Sequence, residues 1–429
     1  MRIWHILRSR LGSLAFRDRR ESELREELEF HIEREIERRI AQGMDAEAAR
    51  SMAMREFGDV IALDQRGTGW SESAPECVSN VVIPTDRRIA KEESAALLRT
   101  AAEQCAKFWR GEGFEPDGYT TVENARDLDA LRAHLSARKI SLWAISYGTH
   151  LALSAVKEMG PRIDRMVLTG AEGLDQTVKL PSETDAYFSR LQAAIDKEPA
   201  AKAAYPDITA LMRRVLEKLD AEPIMMRVPT KNGPVSMLLT REVMQMASSA
   251  SIADPQGAAR LLMLYLAVDA GMVEPVAALI GRFVTPGEPE SFRLMPLAMD
   301  IASGVGSERL ARIEREAETA LLGEFLNYPM PQLVGALDLD LGDDFRKAPK
   351  SRIPTLLLIG TLDGRTYPTE QMAAVSGLAD LTAVTVVNAG HNLFMLSPEI
   401  TETIRRFMRD EEISAKEIVV EAPSFAPKM

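Results

Sequence analysis

The sequence predicts an α/β protein: a mostly parallel sheet that lacks its first strands, a helical cap insertion, and an all-α segment at the N-terminus. Three observations carry this expectation. Apolar runs suited to strands alternate with helical patterns from about residue 60 onward. One of them, KISLWAISYGTHLALSAV, passes from strand to helix at a single serine, Ser146. Two later runs, PTLLLIG and LTAVTVV, each end in a polar turn. At 429 residues the chain is long enough for one large domain with an insertion, or for a small domain joined to a large one.

Residues 1–58 carry no strand pattern. MRIWHILRSRLGSLAFRDRR is basic, with Trp4, Leu7, Leu11 and Leu14 on one helical stripe. In the next segment Leu24, Leu28, Ile32, Ile36 and Ile40 recur at i+4, charges fill the other face, and Gly43 acts as a stop. Asp45 is suited to cap a third helix, DAEAARSMAMREF, closed by Gly58. The next run predicts a strand at Val60–Leu63 that ends in DQRGTG, where Gly67 and Gly69 permit a sharp turn.

The Ser146 region has the form of a nucleophile elbow. Ile140, Leu142 and Trp143 lead to the corner, and Thr149, Leu151, Ala152 and Ala155 begin the helix after it. The residues two positions either side of the serine must be small, and they are Ala144 and Gly148, one methyl group away from the usual GxSxG. A serine nucleophile needs a base and an orienting acid, which in this arrangement follow in the order acid, then histidine, at the ends of later strands. Leu356–Ile359 leads to Asp363, and Val384–Val387 leads to His391. The chain has five histidines: His5 and His31 fall in the charged N-terminal region, His134 in a helix before the elbow, and His150 on the elbow's own helix. Only His391 is placed to serve.

From about Val60 to Arg409 the chain resembles the α/β-hydrolase superfamily, and more narrowly its proline iminopeptidase and tripeptidyl aminopeptidase branch. DQRGTGWSES, AAEQCAKFW, YTTVENARDLDALR, SYGTHLAL, GAEGLD, GTLDGRTYP and AGHNLF carry the resemblance. It implies a triad of Ser146, Asp363 and His391 and acyl transfer to water through an acyl-enzyme, with release of N-terminal residues from peptides. His391 takes the serine proton during attack and returns it to the leaving group, while Asp363 fixes the imidazole tautomer. The backbone N–H of Tyr147, at the start of the helix, is the expected oxyanion donor. A second donor belongs on a Gly-rich loop after the third strand, yet nothing like HGGP precedes Asp64. Loss of one such donor costs about 100 to 1,000-fold in turnover. The missing third strand leaves three expectations: the strand at Val60–Leu63 moves into the vacancy, the sheet has a gap, or its missing edge comes from elsewhere.

Residues 1–58 resemble the prefix domain of FtsX-like transporter permeases, through RSRL, ELREELEFHIE, GMDAEAAR and REFGDV. That resemblance implies a following transmembrane helix, which this chain lacks. The junction FGDVIALDQRG reads as a join between unrelated genes, and the prefix as a module that contacts the core or another protein. The domain reading is thus a prefix-like segment at 1–58, a core at 59–174 and 346–412, a helical cap at 175–345 and a C-terminal tail at 413–429. The core includes the strand Arg165–Gly170. Met-rich stretches of the cap suit either helix packing or an adaptable apolar pocket. By position alone, Glu172 is a candidate anchor for a substrate's amine.

Composition narrows the classes. The chain is 46% apolar and 27% charged, as soluble globular proteins are. A net charge of -12 argues against a nucleic-acid partner. Asp269 and Glu274 interrupt the most apolar stretch, so no integral membrane span is expected, although the basic first helix could touch an anionic membrane surface. No phosphate loop, dinucleotide fingerprint or metal-ligand spacing is present, and no cofactor is expected. The first residues lack a signal-peptide core, so a cytoplasmic location and reduced thiols at Cys77 and Cys105 are expected, although the hydrolase relatives are often exported and a pair placed here could form a disulfide in them. Three functional readings stand: an aminopeptidase-type serine hydrolase, a broad-range esterase with the same triad, and a catalytically impaired fusion protein that lacks part of its oxyanion hole. Their partners are a small peptide, amide or ester substrate.

Overall fold

The computed structural model describes residues 44–45, 61–282, 285–394 and 396–427. The three helices expected within 1–58 lie outside the described residues. Nine strands occur among those described: β1 (Cys77–Val78), β2 (Ile140–Ile145), β3 (Ile163–Thr169), β4 (Ile224–Val228), β5 (Val235–Leu239), β6 (Ser291–Phe292), β7 (Thr355–Gly360), β8 (Leu381–Val387) and β9 (Glu417–Val419). Five of them form one parallel sheet in the order β2-β3-β7-β8-β9.

β7, the middle strand of this sheet, reads as a near-continuous apolar run, buried along its whole length, because both its faces are covered. Successive side chains point to opposite faces, so alternate residues enter different cores. Met166, Leu168, Leu357 and Ile359 pack with Leu151, Ala155 and Met159 of the helix Tyr147–Met159. Val167, Leu356, Leu358, Val384 and Val386 pack on the other side with Ile400, Ile404 and Phe407 of the helix Pro398–Met408. The segment expected as a C-terminal tail extends the sheet: β9 pairs with β8, and Ile418 is buried between the layers.

The opposite edge of the sheet departs from expectation. Residues 61–63 form no strand, and Ile61 and Leu63 are exposed. A strand there has no described neighbour to bond with, and the DQRGTG turn is tied instead to the helix Thr121–His134. The Arg66 guanidinium donates to both carboxylate oxygens of Asp127 at 2.6 Å and to the Gly118 carbonyl at 2.6 Å. Among the described strands β2, which leads into Ser146, lies at the edge of the sheet, with Ser141 and Trp143 exposed.

The 175–345 insertion has an apolar core of its own, built by the helices Pro181–Ile195, Ile208–Ala221 and Pro255–Asp269. It is not wholly helical. IMMRV and VSMLL form the antiparallel hairpin β4–β5, turning at a Gly233 with φ of 100°. Among the described residues no helix is long and apolar enough to cross a membrane.

Cys77 and Cys105 form a disulfide, which corrects the expectation of reduced thiols. The geometry follows from packing. β1 pairs antiparallel with β6, placing Cys77 opposite Phe292, and Cys105 lies on the buried face of the helix Lys91–Gly111. The two Cα atoms are 5.5 Å apart, within bonding range. The bond closes a 28-residue separation, and loop entropy puts its contribution at roughly 3–4 kcal/mol. Reductant should lower the urea midpoint of the wild-type protein, whereas Cys105→Ser should start from the lower midpoint and respond to reductant no further.

Candidate active site

Three loops at the carboxyl ends of β2, β7 and β8 supply the sequence-predicted residues. At the first, β2 stops at Ile145 and the helix Tyr147–Met159 starts one residue later, with Ser146 alone at the corner. Its backbone has φ 54° and ψ -127°, a conformation costly for a residue with a Cβ. Two contacts hold it. The Ser146 N–H donates to the Thr169 carbonyl at 3.0 Å, and the Ser146 carbonyl accepts from the Thr149 N–H and hydroxyl at 2.8 and 2.6 Å. A Cβ placed on Gly148 would lie 3.6 Å from the Ala144 Cβ, an ordinary contact distance. The extra methyl at Ala144 is therefore not crowded by position 148. Tyr147 opens the helix, which sets its backbone N–H at the end where the helix dipole favours negative charge.

Asp363 follows β7 and is completely buried. Its Oδ1 accepts from the N–H groups of Arg365 and Thr366 at 2.7 and 2.8 Å. Its Oδ2 accepts from the Thr366 hydroxyl at 2.7 Å, from Gln371 Nε2 at 3.3 Å and from His391 Nδ1 at 2.9 Å. Burial pushes the carboxyl pKa up, but the neighbouring His391 and the donors from His391 and Thr366 outweigh it and hold Asp363 below the usual carboxylate range.

His391 follows β8 and is buried. The bond from Nδ1 to Asp363 leaves Nε2 as the other working nitrogen of the ring. Gly170, at the end of β3, lies against the ring: a Cβ there would fall 2.8 Å from His391 Cε1 and 3.0 Å from the Thr366 hydroxyl. Its φ of 57° also suits glycine. Thr169, the residue before it, is the one bonded to Ser146 N–H, so the elbow and the imidazole meet neighbouring residues at the end of β3. Asp363 and His391 are brought into direct contact, while no hydrogen bond joins Ser146 to His391 among the described residues. Such bonds are often loose before substrate arrives.

Other candidates are accounted for differently. His150 is fully buried, with its ring nitrogens 3.1 Å from the Gly173 carbonyl and the Ser303 hydroxyl, a structural role. Glu172, the candidate amine anchor, receives Lys179 Nζ at 2.5 Å, and both side chains are largely buried. Its charge is thus already balanced. The sequence reading missed the contribution of the cap, since Ala253 and Asp254 bond to residues 391 and 392. The only local signal was an Asp-Pro pair at the start of a helix. Among the described residues no group of three or more His, Cys, Asp or Glu side chains is arranged to hold a metal ion.

The sequence family described as "alpha/beta hydrolase fold" matches residues 58–250, and the chain has that fold. No curated protein matches it. Solved structures similar to it include an alpha/beta hydrolase from a Medee basin deep-sea metagenome library, 16% identical, with 70% of this chain and 75% of that chain covered and a TM-score of 0.31. A thermophilic esterase from Thermogutta terrifontis is 15% identical, with 81% and 78% covered and a TM-score of 0.29. A proline iminopeptidase-related protein from Thermus thermophilus is 14% identical, with 69% and 72% covered and a TM-score of 0.29.

The depressed Asp363 pKa has a stability consequence. The stabilisation is fully present above the carboxyl's unfolded pKa of about 3.9 and is lost as pH falls through the lower folded value. Urea unfolding of wild type and Asp363→Asn should therefore show the wild type more stable near neutral pH, with the gap closing below about pH 4. A gap that widens with acidification would mean that Asp363 is held neutral instead.

Proposed function

We propose that this chain, built on the alpha/beta hydrolase fold, is a serine hydrolase that uses Ser146 as nucleophile, His391 as general base and then acid, and Asp363 as orienter. The observation that carries this reading is the 2.9 Å bond from His391 Nδ1 to a buried, multiply bonded Asp363, at the same end of the parallel sheet as a serine alone on a strand-to-helix corner. The Ser146 Oγ attacks a carbonyl carbon as its proton passes to His391 Nε2, and the resulting imidazolium sits beside the Asp363 carboxylate. The oxyanion is received by the Tyr147 N–H. Collapse of the intermediate expels the leaving group with the proton from His391, and water repeats the sequence on the acyl-enzyme. Release of N-terminal residues from small peptides, or cleavage of related amides and esters, is the activity this reading assigns.

The balanced Glu172–Lys179 pair favours a second reading, a broad-range esterase, because the one amine anchor suggested by position is engaged. The domain division proposed is a core at 59–174 and 346–412, to which the 413–429 segment adds β9, beneath a 175–345 cap, with 1–58 as a separate prefix able to contact the core or another protein. The Cys77–Cys105 disulfide supports an oxidising compartment rather than the cytoplasm.

A fluorophosphonate should add once to the wild-type chain, by intact mass, and not to Ser146→Ala of unchanged fold. Equal labelling of both would remove the elbow assignment, and no labelling of folded wild type would favour the impaired-fusion reading. On protein that labels, hydrolysis of amino-acid amides with a free amine at least tenfold faster than of N-blocked ones is the aminopeptidase result. Indifference to the block is the esterase result.

A further inference from the structure

Besides the helix Pro181–Ile195, which touches the acid loop through Arg190 and Thr184, the cap meets the candidate catalytic loops at a corner, residues 249–255, between the helices Arg241–Ser251 and Pro255–Asp269. That corner holds both the acid loop and the histidine loop. On the acid side, Arg365 Nη1 donates to the Ser249 carbonyl at 3.2 Å, and a Cβ on Gly364 would collide with the Ile252 carbonyl. On the histidine side, the His391 N–H donates to the Ala253 carbonyl at 2.9 Å. The Asp254 carboxylate takes both donors of the next residue: Asn392 N–H at 3.0 Å on Oδ1 and Asn392 Nδ2 at 2.6 Å on Oδ2. Gly390 lies so close that a Cβ there would sit 2.6 Å from Asp254 Oδ1 and 2.8 Å from its Cα.

Asp254 stands at the N-cap of the helix Pro255–Asp269, where an aspartate ordinarily accepts from an N–H of the first turn. Here its side chain makes no such capping bond. The carboxylate reaches across to Asn392 instead, which a role confined to its own helix does not explain.

We propose that Asp254 is a positioning residue for the hydrolysis: through Asn392 it fixes the backbone of the histidine loop while Asp363 fixes the ring, and together these aim His391 Nε2 at Ser146. The inference rests on the serine-hydrolase reading. A ring held only at Nδ1 pivots about that bond, and a backbone anchored at residues 391 and 392 removes the pivot. It also makes the 249–255 corner a fixed point of the cap rather than an opening edge. Misplacement of a reacting group by about 1 Å costs on the order of 100-fold in rate.

The test uses the full chain and the rate of fluorophosphonate labelling of Ser146, resolved into the limiting rate and the half-saturating concentration. Asp254→Asn sets an amide opposite the Asn392 amide and should slow the limiting rate at least tenfold with little change in half-saturation. Asn392→Asp sets two carboxylates together and should do the same or worse. The double variant Asp254→Asn/Asn392→Asp restores a donor opposite an acceptor and keeps an acceptor for the residue 392 N–H, and it should recover most of the rate. Thermal melting of each variant separates misplacement from unfolding. If Asp254→Asn labels at the wild-type rate, or if the double variant melts like wild type yet recovers nothing, the positioning role is overturned and the serine-hydrolase reading stands. If folded wild type does not label, that reading falls, and this inference with it.

Discussion

A fully buried carboxylate that stays charged sets the terms for the rest of the site. Asp363 has left water completely, and an ionised group in that position is tolerable only when its lone pairs are filled. Five donors from Arg365, Thr366, Gln371 and His391 fill them. Hydrogen bonds to charged groups contribute about 1.5–3 kcal/mol each, so this shell is stiff as well as stabilising. Its stiffness passes to the imidazole, whose Nδ1 is committed to Asp363 and whose edge lies against Gly170. The end of β3 then reaches the elbow through the Thr169 carbonyl. Parallel packing of β2, β3, β7 and β8 brings these loops to one end of the sheet, as open α/β sheets do with their sites.

The parts of this arrangement legible in the sequence are those with a local signature. β7 and β8 are short, apolar, and followed by turn residues, so the positions of Asp363 and His391 at strand ends could be read directly. The elbow was legible because only a tight corner needs small residues two positions either side of a serine. The parts that were not legible depend on partners distant in sequence. IAL at 61–63 has the composition of a strand but no described neighbour, and pairing rather than propensity decides. EIV at 417–419 is too short to stand out and becomes a strand only because β8 offers an edge. VSMLL, read within a helical cap, pairs with IMMRV across a KNG turn. The Cys77–Cys105 bond depends on β1 meeting β6 more than 200 residues later in the chain, which no spacing rule anticipates.

The cap shows the same limit at the site itself. Asp254 in SIADPQ looks like an ordinary helix start, and its commitment to Asn392 appears only when the chain is folded. The edge position of β2 is a further consequence of long-range structure. Among the described residues the strand that delivers Ser146 has a partner on one side, β3, and its corner is held by Thr169 and the first turn of its helix.

On the proposed function, Ser146, His391 and Asp363 act as one acyl-transfer unit. The most direct measurement is a rapid-quench study of activated-ester turnover, with intact mass and peptide mapping to follow the acyl group. An initial burst of leaving group approaching one equivalent per chain is expected, matched by an acyl adduct on Ser146 that accumulates and then decays. Leaving-group release with no burst and no adduct on Ser146, at a rate unaffected by Ser146→Ala, would contradict the proposed function.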